Sequence, residues 1–439
     1  MGEVRADQIV IVGGGFSGAM LAARLAERGQ ASTVIGRDSR FGLGVAYSTP
    51  FEGHLLNVRS SRMSAIEGRP ADFVDWLKAH RPELADPEDF APRAVYGRYV
   101  ADRFDHARAT GLIQTVQGEA VAVEPGGVRL ADGRRVEGRA VVLATGNPAP
   151  RTAESGASDR ILSDPWAPGA LERIGADDRV LIVGTGLTMV DMLQSLEAGG
   201  WRGEAVALSR RGLLPRAHGE HHDAAADLPA QALSGPVSRR LNAARAKAET
   251  AGWMPVMEAY RPITADLWSQ ASVAERARLV RHLRAWWDVH RHRIAARIGR
   301  FLERLNAEGR LTIIAGRLGR VEADETGVRA AYRPRGGGAP GALQAAWLID
   351  CTGPGHDAAR DPLTGPLIAD GRARLDPLRL GLDLDAEGRV LDAEGRSDDA
   401  LYVLGPPARA AFWETIAVPD IRKRIEALTD RLTPAARRA

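Results

Sequence analysis

Two glycine turns and a pair of arginines are the parts of this 439-residue chain best suited to chemistry. The first turn, Gly13-x-Gly15-x-x-Gly18, follows the β-favouring run Ile9–Val12 and precedes Ala19–Glu27, which reads as an amphipathic helix. Gly13 permits a tight turn, Gly15 lets backbone amides approach a pyrophosphate, and Gly18 lets helix and strand pack closely. The helix start adds unpaired N–H groups and a positive dipole. The second turn, Gly184-x-Gly186, follows Val180–Val183 in the same way, with Met189 where a third glycine would stand. Helix and strand must there sit slightly farther apart or repack. Two such turns in one chain imply two dinucleotide sites, or one duplicated fold. The strand after the second turn ends in Ser209, Arg210 and Arg211, guanidinium groups where an acid would repel a 2′-phosphate. That favours NADPH over NADH.

The elements that must position these turns are legible in order. Ser32–Ile35 is a second strand, but its end carries Gly36, Arg37 and Asp38 rather than the acid that usually holds an adenosine ribose. Either Asp38 or backbone alone would hold it. Phe41–Tyr47 reads as a glycine-rich loop laid against something flat or anionic. Periodicity predicts helices over Asp72–Ala79 and Tyr96–Ala109, then short strands at Ile113–Val116, Glu119–Glu124 and Val128–Leu130, with a hairpin turn at Asp132-Gly133. Ala140–Gly146 is a buried strand ending in Ala-Thr-Gly, a small-residue end that opens a parallel sheet onto a ligand. Pro148 and Pro150 break the chain after it, Ala346–Gly353 echoes it, and Ala400–Gly405 is a last strand ending in glycine.

Between the second unit's strands lies a stretch of different character, Leu213–Asn306. Ser272-x-x-Glu275 is a capping box that would open one long helix. Leu279, Leu283, Trp286, His290, Ile294, Ile298 and Leu305 would form its buried stripe. His290 and His292 face different sides and are poorly placed to share a metal, so a core or cofactor-proximal role suits His290. His218-Gly-Glu-His-His-Asp223 lacks a helical histidine pair and reads as a solvated loop, so no metal site is expected.

Composition sets bounds. There are 59 basic and 56 acidic residues, a net charge of +3, which does not predict nucleic-acid binding. No apolar run reaches the ~18 residues of a membrane span. The start of the chain lacks a signal-peptide h-region and a myristoylation signal, so a cytoplasmic location is expected. The single cysteine, Cys351, excludes an internal disulfide and a redox cysteine pair.

In this order, the motifs GxGxxG, ATG, GxG, TG and LG resemble those of the two-dinucleotide-binding-domain flavoproteins. The closer likeness is to bacterial FAD/NAD(P)-binding proteins with an FGxGxAY segment, here Phe41–Tyr47, followed by His54–Val58. Asp164–Trp166, Val183–Asp191, Ser209–Pro215, Trp287–Arg293 and Trp413–Arg422 fit the same likeness. It implies an α/β fold of two Rossmann-like domains, the second inserted in the first and carrying a helical insert. The expected units are residues 1–168 for FAD, 169–330 for NADPH with the insert at about 213–306, and 331–439 returning to the first. FAD contacts are implied at Gly13, Gly15, Phe16, Ser17, Gly18, Gly44, Val45, Ala46, Tyr47, Leu56, Asn57, Thr145, Gly146 and Gly405. NADPH contacts are implied at Gly184, Thr185, Gly186, Ser209, Arg210 and Arg211.

With both sites filled, the cofactors carry the chemistry, and the lone cysteine closes the disulfide-reductase branch. The leading expectation is an NADPH-dependent monooxygenase that forms a flavin hydroperoxide and hydroxylates a small amine or other nucleophile with O2, the insert covering the substrate. A reductase or dehydrogenase serving another acceptor, or a redox-sensing FAD/NADP-binding protein without turnover, are the alternatives. Asn57 is the polar candidate for orienting the hydroperoxide; the other reading is a loop amide satisfying nearby backbone. Substrate identity and oligomeric state are not encoded in any motif.

Overall fold

The computed structural model describes residues 7–147, 158–219, 224–353 and 357–434. The β-branched run Ile9–Val12 is buried along its whole length and pairs in parallel with Ser32–Gly36 on one side and Ala140–Leu143 on the other. The full sheet runs Arg389–Leu391, Ser397–Val403, Ala140–Leu143, Ile9–Val12, Ser32–Gly36, Ile113–Gln117. Only Arg389–Leu391 is antiparallel to its neighbour. Ile113–Gln117 is therefore an edge of this parallel sheet, separate from the small antiparallel sheet of Ala120–Glu124, Gly127–Leu130 and Arg135–Glu137.

The helix after the first turn, Phe16–Glu27, is not amphipathic in its surroundings: every residue from Phe16 to Ala26 is buried. It packs against the helices Arg93–Arg108 and Val418–Leu432 as well as the sheet. Its one charged buried residue, Arg24, is paired with Glu426 at 3.0 Å and with Glu27.

The second sheet runs Gly341–Ala345, Val328–Pro334, Leu311–Ala323, Ala205–Ser209, Val180–Val183, Trp347–Asp350, Ile161–Leu162. From Leu311–Ala323 to Ile161–Leu162 all neighbours are parallel. Trp347–Asp350 was expected in the returning part of the first unit, but it pairs with Val180–Val183. By sheet membership the second unit runs on to Asp350, not to 330, and Ile161–Leu162 already belongs to it. The echo between Ala140–Gly146 and Ala346–Gly353 is thus an equivalence between the two sheets.

The helical insert contains Val237–Ala251, Trp253–Tyr260, Thr264–Gln270, Val273–Arg278 and Arg284–Arg291 among the described residues. The capping box forms as expected, with the Ser272 hydroxyl accepting from the Glu275 amide at 3.3 Å. The single long helix does not form. Leu279–Leu283 widens into a π-helical turn, and the chain leaves helical geometry at His292. Ile294 then pairs with Ala217: its amide donates to Arg216 O at 3.0 Å, and its carbonyl accepts from the His218 amide at 2.8 Å. Helix resumes at Ala296–Ala307, the crossover into Leu311–Ala323. This non-local pairing overrides a pattern that is locally continuous. Trp286, placed in the expected buried stripe, is consequently 43% exposed, while Ile294, Ile298 and Leu305 are buried.

Met189 fills the space that the missing glycine leaves. It is fully buried in the second unit's core with Ile182, Leu193 and Ala205, so the helix has repacked around it. Restoring the fingerprint with Met189→Gly should therefore destabilise the protein by about 3–5 kcal/mol, from the emptied core and the helical glycine together. Chemical denaturation would read this as a lower midpoint.

Candidate dinucleotide sites

Each glycine turn lies where its sheet changes winding direction, between Ser32–Gly36 and Ala140–Leu143 in one unit and between Ala205–Ser209 and Trp347–Asp350 in the other. In open parallel sheets that crevice at the strands' carboxyl ends is the ligand site. The two turns are built alike. Gly13 N–H donates to Ile35 O at 2.8 Å, and Gly184 N–H to Leu208 O at 2.8 Å. Gly13 has φ +118°, and a Cβ there would lie 2.2 Å from Ala144 O; Gly184 has φ +107° and the same relation to Cys351 O at 2.4 Å. Only glycine fits either place.

In the first unit a Cβ on Gly18 would meet Gly13 O at 2.0 Å, so helix and turn are in backbone contact. Gly15 caps the helix with Gly44 lying across it, 3.4 Å from an added Cβ. Gly44, Val45 and Ala46 are exposed and begin one helical turn, Gly44–Tyr47, within the stretch expected to be loop. Phe16 and Ser17 turn inward. The Phe16 ring packs edge-on to Tyr47, and Ser17 lies against Gly405, leaving their main chain for a ligand. Tyr47 packs on Tyr96, and burial pushes its phenol well above the ordinary value. Thr145 is exposed at the end of its strand and Gly146 has open space beside it. Leu56 is buried in the first core, whereas Asn57 is half-buried. The Asn57 carbonyl accepts from His218 Nε2 at 3.0 Å, and its carboxamide has no partner among the described residues.

Gly36 has a physical explanation. A Cβ there would lie 2.9 Å from the Phe41 ring, which covers the strand end where an acid would stand. The same ring covers Gly14, where a Cβ would come within 2.7 Å. Asp38 closes its own turn instead, accepting from the Arg40 amide at 2.8 Å. Phe41 is thus a site-shaping residue, and only its place before Gly42 hinted at this.

In the second unit an added Cβ on Gly186, the helix cap, would meet nothing within 4 Å. Thr185 is buried and fixes the loop: its hydroxyl donates to Leu213 O at 2.6 Å and lies 2.9 Å from Ser209 Oγ, which accepts from the Gly212 amide at 3.0 Å. Arg210 is exposed, and Arg211 reaches Arg281 O at 3.4 Å. Neither has a carboxylate partner among the described residues, in a protein where most arginines are paired. His290 is half-buried and packs against Trp253 at 5.3 Å. His218 is not a solvated loop residue: its ring packs on Phe90 at 4.9 Å. Residues 220–223 of that expected loop, and Pro148 and Pro150, lie outside the described residues.

The FAD-NAD(P)-binding family model matches residues 10–148. Solved structures match almost the whole chain. An ornithine hydroxylase from Pseudomonas aeruginosa is 18% identical, with TM-score 0.66, covering 98% of this chain and 99% of its own. An ornithine N-hydroxylase from Kutzneria sp. 744 is 16% identical, with TM-score 0.69 and the same coverage. A cadaverine monooxygenase from Erwinia amylovora is 14% identical, with TM-score 0.69, covering 98% of this chain and 95% of its own. The fold is that of the two-dinucleotide-binding-domain flavoproteins.

Gly13→Ala should cost about 3 kcal/mol or more through clash and strain. Gly186→Ala should cost about 1 kcal/mol or less while weakening NADP+ binding at least roughly tenfold, because its Cβ enters only ligand space. Burial, then Arg293, depresses His218 to a pKa of about 4. The unfolded chain therefore takes up the extra proton first, and stability is lost as pH falls from about 6.5 towards 4. Allowing for the ring's partial exposure, this is on the order of 2 kcal/mol. His218→Gln should flatten that part of the pH–stability curve.

Proposed function

We propose that the first unit holds FAD, the second holds NADPH, and the chain is an NADPH-dependent flavin monooxygenase acting on a small amine or other nucleophile. The observation that carries this is the pair of matching glycine turns, each at a winding switch. The family match over residues 10–148 and the shared fold with amine hydroxylases support it. With both groups bound, the chemistry supplied is two-electron reduction of the isoalloxazine by NADPH and its reaction with O2, one oxygen passing to the substrate and the other leaving as water.

The chain's own part is to bind, orient and cover. Main-chain amides of Gly15–Gly18 and the helix N-terminus receive the FAD pyrophosphate. Gly44–Tyr47, Leu56, Asn57, Thr145, Gly146 and Gly405 line the rest of that site. Gly184, Thr185 and Gly186 take the NADPH pyrophosphate through backbone, and Ser209, Arg210 and Arg211 take its 2′-phosphate. Guanidinium groups with no carboxylate partner among the described residues suit that dianion. Asn57, whose carboxamide has no partner among the described residues, would orient the oxygenating group. The insert excludes water. Cys351 is buried, with its thiol pushed up by burial, so it is no redox partner. No helix among the described residues is long and apolar enough to cross a membrane, and a cytoplasmic setting suits use of NADPH.

Purified protein should bleach at the flavin absorbance with NADPH under argon and, with its substrate and labelled O2, give product carrying one labelled oxygen. Bleaching without any oxygenated amine, but with fast reduction of a quinone, would move the assignment to a reductase. Arg210→Ser with Arg211→Ser should raise KM for NADPH about tenfold to a hundredfold, with little change for NADH. Equal loss with both nucleotides would remove the 2′-phosphate role.

A further inference from the structure

One residue joins the segment lining the first cofactor site to the helix that begins at the second. His54 is buried, two residues before Leu56. Its Nδ1 lies 2.8 Å from Thr49 Oγ1 within the first unit. Its Nε2 lies 3.0 Å from Asp191 O and 2.9 Å from Ser195 Oγ, both on the helix Leu187–Ala198. A carbonyl only accepts, so Nε2 carries the proton and Nδ1 accepts from the threonine hydroxyl. Burial holds this ring below its ordinary pKa, which keeps it in that neutral form.

The surroundings serve the same junction. Arg93 donates from Nε to Leu55 O at 3.0 Å and from a terminal nitrogen to Asp191 Oδ2 at 2.8 Å. This ion pair is almost fully buried, with 16% and 6% of the two side chains exposed. Gln194 donates to Gly53 O at 3.2 Å, and Trp166 packs edge-on against the His54 ring at 5.6 Å. Leu55 and Phe90 belong to the first unit by sequence, yet their side chains lie in the second unit's core with Met189 and Leu193.

We propose that His54, with Arg93 and Asp191, is a positioning set that fixes the orientation of the NADPH unit against the flavin unit. The assignment rests on the cofactor reading above. Asp191 and Ser195 are one turn apart on a single helix face, so one imidazole reads both the position and the rotation of that helix. On that reading the start of that helix would hold the NADPH pyrophosphate, and Leu56 and Asn57 would line the flavin site. The chain of contacts from one to the other is short and buried. With both groups bound, it would fix how the two units hold the nicotinamide and the flavin against each other for the two-electron reduction of FAD by NADPH. A buried polar junction of this kind specifies geometry more than it adds stability.

The test compares wild type with His54→Ala and, as a milder change, Ser195→Ala. Amide hydrogen exchange on the cofactor-free protein reads the junction directly. Both variants should exchange faster in 49–58 and 187–198 together. In FAD-loaded protein under argon, the limiting rate of flavin reduction by NADPH should fall about tenfold to a hundredfold in His54→Ala, with Kd for FAD and NADP+ within about twofold. Reduction by dithionite should not change. An unchanged limiting rate, or a fall matched by lost cofactor affinity, would overturn the positioning role. Should His54→Ala fail to fold, Ser195→Ala gives the same readings. Should wild type itself resist NADPH, the cofactor reading fails, and the exchange data still decide whether the two segments are coupled: independent exchange would overturn the junction.

Discussion

A backbone glycine pressed against a backbone carbonyl is the constraint on which both halves of this molecule depend. At Gly13 the carbonyl is that of Ala144, and at Gly184 it is that of Cys351. Neither approach tolerates a Cβ, and both force the chain to turn sharply at the end of a central strand. The neighbouring strand is locked in reply: Ala144 N–H donates to Val12 O and Cys351 N–H to Val183 O, each at 2.8 Å. Strand, turn and adjacent strand end are thereby one rigid unit, and the helix start is aimed at the crevice between them. Cys351 takes part in this contact through its backbone alone, and its side chain is small enough for the core.

The parts legible from sequence are those that repeat locally. The strand runs, the glycine turns, the capping box and the small-residue strand ends have short-range causes, and the structure forms them. The exceptions have long-range causes. No local pattern says that Trp347–Asp350 joins the second sheet, because parallel pairing is chosen by the strand across the core. Nor does any pattern stop the helix at His292. The apolar spacing continues, and only the competing ladder with residues 216–218 breaks it. Gly36 was visible as a departure without a reason; the Phe41 ring that supplies the reason is close in sequence but meets Gly36 only once the loop folds back. His54 stood in a recognisable segment, but its partners are about 140 residues away in the chain, which no motif reveals.

Between the helical insert and the chain's last segment the contact is unusually polar. Beside it, Glu258 of the insert is held by Arg62 of the first unit at 2.8 Å and by Arg293 of the insert itself at 2.9 Å. Trp287 donates to Glu414 at 2.6 Å, and Arg291 meets Asp420 at 3.1 Å. Burial, with Arg291 and Arg62 nearby, lowers the Arg261 guanidinium to about 9. Several groups here, Arg261 Nη2, Arg291 Nε and Glu414 Oε2 among them, have no hydrogen-bond partner among the described residues. Apolar contact exists too, with Trp268 stacked on Trp413 at 4.5 Å, but it is local.

Such an interface has a mechanical meaning. Buried ion pairs roughly offset their own desolvation, and each unpartnered polar atom costs about 1–3 kcal/mol. The insert is therefore fixed in orientation without being held by a large apolar surplus, unlike the two sheet cores. The contrast with the junction at His54 is informative. There, side chains of the first unit penetrate the second unit's apolar core, so the cofactor-bearing units are fastened by packing as well as by polar contacts. The two sheet units are thus joined by packing and polar contacts together, whereas polar contacts prevail where the insert meets the chain's last segment.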